Sequence, residues 1–286
     1  MCGLRWVIMS VFPQRVSPPR EAGLSLRGSA LRFRGPLGGV EASPGPLAQG
    51  ARGSVLFIGG SETFGGYVAR PFVQRFAHQS GLETGNLGAF CAGWEALGRD
   101  PVVLKYARTA GLIVLQLMGP QYRTNPYFQV HPRRNDRFVA PYAPLRQLFP
   151  QVDFTRFSFV GHLMRSLQQQ DVYAHRRLQR GLQQAWRQHI AGLARLYRTP
   201  IAFLWVDHGM DPGLGEAVAG LTQHRLAELD LTDVPLLQVQ PDLLGQRPMF
   251  IRPEGQITVI SGAYHQKVAD ALAQWLPSVL ADARLN

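Results

Sequence analysis

The sequence predicts an α/β fold, a mostly parallel, five-stranded sheet sandwiched between helices. From Ser54 onward, short apolar runs alternate with stretches of helical spacing, the texture of successive β–α–β units. The runs are apolar throughout, as in GLIVLQLMG (Gly111 to Gly119), so their strands are covered on both faces. Of the 286 residues, 45% are apolar, close to the roughly 45–50% of globular proteins, so the core is sizeable.

Taken in order, residues 1–53 are a basic Pro/Gly-rich N-terminal extension. It carries seven arginines against Glu21 and Glu41. Only LRF (Leu31 to Phe33) reads as a strand, and the rest as surface loop or partly disordered chain. The α/β domain spans 54–286. Its first strand, near 54–58, ends at Gly59-Gly60, as a buried strand before a turn does. Tyr67 to Gln79 has helical spacing, with Val68, Phe72 and Phe76 four apart. Further strands are predicted near 82–87, 111–118, 200–206 and 234–240. A helical insertion at about 143–198 lies between the third and fourth strands. Within it Leu178, Leu182, Trp186, Ile190 and Leu193 share one helix face, while Arg176, Arg177, Arg180 and Arg187 take others. The last helix, from about Tyr264, aligns Val268, Leu272, Trp275 and Val279. Right-handed crossovers put the functional loops at the carboxyl ends of the strands.

This composition excludes a disordered chain, a collagen-like repeat and a small disulfide scaffold. The formal charge is +11, and two of the 30 basic residues, Lys105 and Lys267, are lysine. The other 28 are arginine, whose planar fork binds phosphate, sulfate or carboxylate in bidentate fashion. A GC-rich coding sequence produces the same skew. Cys2 and Cys91 form neither a disulfide framework nor a CxxC pair, so a reducing, cytoplasmic setting is expected. The opening MCGLRWVIMSVF lacks a small-residue cleavage site and reads as a leader rather than a signal peptide. No apolar run approaches the ~20 residues of a membrane span.

The most informative segment is FIGGSETFGG (Phe57 to Gly66), which sets glycines and one serine directly after the first strand. Glycine there permits a tight turn and close ligand approach. Ser61 then has two readings, a nucleophile exposed at the sheet edge or a helix N-cap. A phosphate loop is a weaker third, since neither GxxxxGK[ST] nor GxGxxG is present. A catalytic serine needs a base and oxyanion donors, and later loops offer both. GNLGAFCAG supplies the Gly88 amide, MGPQY the Gln121 side chain with Asn125 close behind, and SGAYHQKVADAL places His265 at the start of the last helix.

That order of serine, glycine, amide and histidine resembles the SGNH superfamily of esterases and acyltransferases, also called GDSL hydrolases. The resemblance implies a flavodoxin-like three-layer sandwich. It implies Ser61 and His265 as the catalytic pair, with Ser61, Gly88, Gln121 and Asn125 around the oxyanion. The strings GGSETFG, NLGAFCAGWEAL, VHPRRNDRF and FPQVDF are similar to a bacterial domain family of unassigned function, over most of residues 30–205. This sequence departs from the SGNH pattern at three points. Gly262 stands three residues before His265 in place of an orienting aspartate. Gln121, followed by Tyr122, replaces asparagine, and Glu62 follows Ser61 where GDS would be expected. Losing such a carboxylate costs ~10⁴-fold in the serine protease template. Asp207 or Asp242, at neighbouring strand ends, are candidates to replace it.

Beyond the third strand, NPYFQVHPRRNDRF (Asn125 to Phe138) holds His131, Arg133, Arg134 and Arg137 with Asp136 in opposition. Two readings apply. The arginines bind an anionic substrate over Ser61, or they pair with Asp136 and backbone carbonyls to tie down a long loop. No cofactor or metal is expected. DHGMD (Asp207 to Asp211) gathers two carboxylates and His208, fewer ligands than metal sites use, and reads as a loop. His162, His175, His189 and His224 read as packed or surface residues, and Cys91 as buried and inert.

Three function classes follow. The first is a serine esterase or acyl/carbohydrate-modifying transferase acting on a small-molecule or glycan substrate, in the anionic case through the arginines. The second is a non-catalytic binding protein for an anionic ligand on the same fold. The third, nucleic-acid binding, is disfavoured because the arginines are spread along the chain without interleaved aromatics.

Overall fold

The structure, a computed structural model, describes residues 23–35, 54–206, 234–239, 246–252 and 255–285. In chain order, a short hairpin of β1 (Leu24–Ser25) and β2 (Arg32–Phe33) comes first. It is followed by β3 (Val55–Gly59), α1 (Ser61–Phe64), α2 (Phe72–Ser80), β4 (Thr84–Gly88), α3 (Trp94–Leu97), α4 (Pro101–Ala107) and β5 (Leu112–Gln116). A second hairpin, β6 (Phe128–Val130) and β7 (Phe138–Pro141), leads into α5 (Ala143–Leu148), α6 (Val160–Gln170) and α7 (Val172–Leu196). The chain then forms β8 (Ile201–Val206), β9 (Leu236–Val239), the hairpin β10 (Gln246–Arg252) and β11 (Gly255–Ile260), and α8 (Gly262–Leu285).

The five expected strands form one parallel sheet in the order β4-β3-β5-β8-β9. Numbered along the chain, that is 2-1-3-4-5, the flavodoxin-like doubly wound order. Alternate residues feed opposite faces. Leu56, Ile58, Ile113, Leu115, Phe203 and Trp205 pack against Trp94, Val103, Trp186 and Ile190. Val55, Phe57, Leu112, Val114, Ala202 and Leu204 pack against Phe72, Phe76, Val268 and Leu272. Burial on both faces is why these runs carry no polar alternation. The insertion has its own core, where Phe128, Phe138, Leu145, Leu163, Leu178 and Leu182 meet.

Several local expectations are corrected. The helix read from Tyr67 begins at Phe72, because Pro71 sits extended at its N-cap and disfavours helix in the residue before it. The helical block from Phe157 breaks at Asp171, whose carboxylate accepts from the Tyr173 and Ala174 amides and caps α7. The loop expected after the third strand contains the β6–β7 hairpin. The extension's LRF segment is a short strand whose continuation lies along the edge of β4. Arg34 and Gly35 donate backbone bonds to Gly88 and Asn86, and Phe33 is fully buried. Asp207, His208, Asp211, His224 and Asp242 lie outside the described residues.

Candidate active site

In the flavodoxin-like order, the crevice for ligands lies at the carboxyl edge between the first and third sheet strands, here β3 and β5. The turn after β3 carries Ser61 as the first residue of α1, a single helical turn closed by Gly65 in the left-handed region at φ 58°. Gly59 and Gly60 precede it because no Cβ fits. At Gly59 one would overlap Thr63 and Gln116, and at Gly60 it would lie 2.9 Å from the Met118 sulfur.

Gln116, at the end of β5, holds this turn. Its Oε1 accepts from the Gly60 amide at 3.0 Å, the Thr63 amide at 3.3 Å and the Thr63 hydroxyl at 2.6 Å. Its Nε2 donates to Glu62 Oε2 at 2.6 Å. On β4, Asn86 donates to the Thr63 carbonyl at 2.9 Å and accepts from the Gly88 amide at 2.8 Å. Both side chains are buried, and neither is among the candidate residues that the sequence singles out. A polar residue inside the apolar run GLIVLQLMG is the signal that marks Gln116, whereas Asn86, in TGNLG, carries no such signal.

Ser61 Oγ accepts from the Cys91 amide at 3.0 Å. Cys91 is the only non-glycine residue with positive φ among the described residues, at 57°. Its thiol faces the Ser61 hydroxyl, Asp136 and Arg134. Burial, reinforced by the Asp136 carboxylate, pushes it up to about 12 despite Arg134. It is therefore a protonated thiol and a weak nucleophile.

His265 is 1% exposed and stacks on Phe72 with ring centroids 5.8 Å apart. Its Cε1 lies 3.2 Å from the position a Gly65 Cβ would take, which puts the ring beside the C-terminal end of α1. Its Nδ1 accepts from the Phe72 amide at 3.1 Å, so the proton of the neutral ring sits on Nε2. Burial above all, with Arg75 and Arg34 adding and Glu62 opposing, lowers its pKa to about 3. Ser61 is thus bonded to Cys91 and His265 to Phe72, and no hydrogen bond joins the pair in this arrangement.

The remaining expected residues divide. Gln121 is buried with its amide folded over Gly119. The Gly88 amide is already given to Asn86, and Gly88 lacks a Cβ because the backbone of Thr63 and Phe64 passes against it. Asn125 is committed to a turn, donating to the Arg123 carbonyl and accepting from the Tyr127 and Phe128 amides. In the segment beyond, His131 accepts from the Arg133 and Arg134 amides. Arg134 pairs with Asp136 through two bonds of 3.2 and 2.9 Å, and Arg137 lies over the Phe159 ring. Arg133 is exposed at the turn. Buried Asn135 accepts from the Gly93 amide at 2.6 Å and donates to the His131 carbonyl, tying this segment to the turn that carries Cys91. Among the described residues no group of three or more His, Cys, Asp or Glu is placed to hold a metal. No helix among them is long and apolar enough to cross a membrane.

The family model for a domain of unknown function (DUF6473) matches residues 9–280. The chain belongs to that family. No curated protein matches this DUF6473 chain. Solved structures do. A family two carbohydrate esterase from Clostridium thermocellum in complex with cellohexaose is similar over 84% of this chain and 67% of its own, at 16% identity and a TM-score of 0.42. An acetyl xylan esterase from the rumen bacterium Butyrivibrio proteoclasticus is similar over 80% and 64%, at 11% identity and 0.41. The lipase Lip_vut3 from a goat rumen metagenome is similar over 77% and 96%, at 11% identity and 0.40.

Proposed function

We propose that the protein is a serine-dependent hydrolase of carboxylic esters, with Ser61 as nucleophile and His265 as its base. The observation that supports this reading is topological. Ser61 follows β3, the first strand of the sheet in chain order, at the crevice of a flavodoxin-like sheet, and the last helix returns His265 to the end of the same short helix. Ser61 Oγ attacks the acyl carbonyl and its proton passes to His265, which delivers it to the departing alcohol oxygen. Water then hydrolyses the acyl-serine by the reverse sequence. The Ser61 amide and the Gln121 side chain are the donors available for the oxyanion. Productive geometry requires Ser61 to turn from Cys91, and His265 from Phe72, once an ester is bound. Catalytic hydrogen bonds commonly tighten only in the substrate complex. The substrate is an acyl ester of a small molecule or glycan, and an alcohol in place of water makes the same machinery a transferase. If the ester is anionic, Arg133 is the arginine of the His131–Arg137 segment whose side chain has no partner among the described residues.

A second reading, a non-catalytic pocket on this fold, is favoured by the Phe72 amide on His265 Nδ1, which takes the lone pair a base would use. A fluorophosphonate probe separates the two. Under the first reading the folded protein is labelled, labelling vanishes in Ser61→Ala, and in His265→Ala it slows by about 100-fold or more. A folded wild-type protein that takes no label selects the second.

A further inference from the structure

A second concave site lies away from Ser61, in the helical insertion. A cavity of about 380 Å³ is lined by Tyr127, Pro144, Gln147, Leu148, Arg177 and Arg180, within the ~300–1,000 Å³ range of small-molecule pockets. Arg177 and Arg180 are three apart on α7, so they stand on one helix face. Among the described residues, neither has a carboxylate within ion-pair distance. Elsewhere Arg99 pairs with Glu95 and Arg134 with Asp136. The sequence supplies no neutralising charge nearby. From Ala143 to Arg198 there are nine arginines, no lysine and no glutamate, and the two aspartates are Asp153 and Asp171. Both cap their local helices, Asp153 for the Thr155 amide and Asp171 for α7. Two arginines with no ion-pair partner among the described residues thus line one cavity.

The cavity also has a shaped floor. Tyr127 lies against α7 at Gly181, where a Cβ would overlap the tyrosine hydroxyl. That hydroxyl is therefore seated by the absence of a side chain, next to Arg180 in the sequence. Its backbone is fixed from both sides, by Asn125 and by the Tyr142 amide. Two guanidinium forks, a phenolic hydroxyl and the Gln147 amide give more donors than the two oxygens of a carboxylate use. They suit the three terminal oxygens of a tetrahedral ester. Pro144, Leu148 and the Tyr127 ring form an apolar side that takes the organic group.

We infer that this cavity binds a small organic phosphate or sulfate monoester, with Arg177 and Arg180 on the anion and Pro144 and Leu148 against the organic part. It is independent of chemistry at Ser61. The test is titration calorimetry of the full-length protein with phenyl phosphate, phenyl sulfate and phenol. One of the two anions binds with a stoichiometry of one, and phenol does not. Tighter binding of phenyl phosphate assigns the phosphate ester, and tighter binding of phenyl sulfate assigns the sulfate ester. Affinity falls about tenfold or more in Arg177→Gln/Arg180→Gln, with an unchanged thermal midpoint because both side chains are exposed and unpaired. Gly181→Ala, which displaces the Tyr127 hydroxyl, weakens the same ligand, and Ser61→Ala does not. Binding of neither anion, or binding unaltered in the double arginine variant, overturns the inference. So does a double variant that loses only salt-sensitive binding of a 20-nucleotide DNA strand, which makes the patch a nucleic-acid surface.

Discussion

Taking a glutamine out of water inside an apolar strand costs free energy unless its polar atoms find partners. Gln116 finds four, and all lie in the turn that carries Ser61. In Gln116→Leu the volume is nearly kept, but two amides and a hydroxyl lose their acceptor and Glu62 loses a donor. At ~1–3 kcal/mol for each buried group left unpaired, partly relieved by relaxation, a loss of about 3 kcal/mol is expected. Urea denaturation measures it. A loss below about 1 kcal/mol would mean that water replaces the amide and the turn does not depend on it. Because the Ser61 hydroxyl sits on that turn, fluorophosphonate labelling should slow in Gln116→Leu even at temperatures where the variant remains folded.

The same logic applied to whole elements explains which parts of the fold are legible in the sequence. Strands β3, β5 and β8 are covered on both faces, so they stand out as unbroken apolar runs, and their helices show as periodic stripes. The order of strands and the crossover rule then bring Ser61, Gln121 and His265 to one sheet edge. The β6–β7 hairpin is not legible, because its strands are three and four residues long and meet at an irregular register. Nor are the partners of Gln116 or the Gly93 amide that Asn135 holds, which lie dozens of residues away, at separations where no local pattern operates. The segment from His131 to Arg137 has a charge pattern that fits an anion site and a structural tie equally well. The geometry uses Arg134, Arg137 and His131 for the tie. At its centre Asn135 is fully buried and holds the Gly93 amide. Asn135→Ala should therefore cost about 2 kcal/mol, whereas Arg133→Gln, two residues away and exposed, should stay within about 0.5 kcal/mol. Equal effects in paired denaturation curves would remove Asn135 from the role of anchor.

For the molecule as a whole, the buried His265 and the half-buried His189 set how stability responds to acid. His265 is lowered to about 3, chiefly by burial. His189 is lowered to about 4 by burial, with Arg123 and Arg99 adding and Glu95 opposing. Both folded values lie below the unfolded value of about 6.5, so the unfolded chain binds more protons in the interval between. The stability these rings contribute is complete above about pH 6.5. It is lost as pH falls toward 4 for His189 and toward 3 for His265, at up to ~1.4 kcal/mol per pH unit for each. Rising positive charge on a chain already at +11 destabilises every variant alike, so the diagnostic quantity is a difference between variants. In His265→Asn the amide oxygen replaces Nδ1 as acceptor for the Phe72 amide, and the titration disappears while that bond persists. Denaturation midpoints between pH 7.5 and 4.5 should therefore fall more steeply in the wild type than in His265→Asn, and the same should hold for His189→Asn. Parallel curves for wild type and both variants would mean that these rings titrate normally in the folded protein. For His265 that would restore a pKa suited to a general base near neutral pH, so the pH series also bears on whether Ser61 has a working partner.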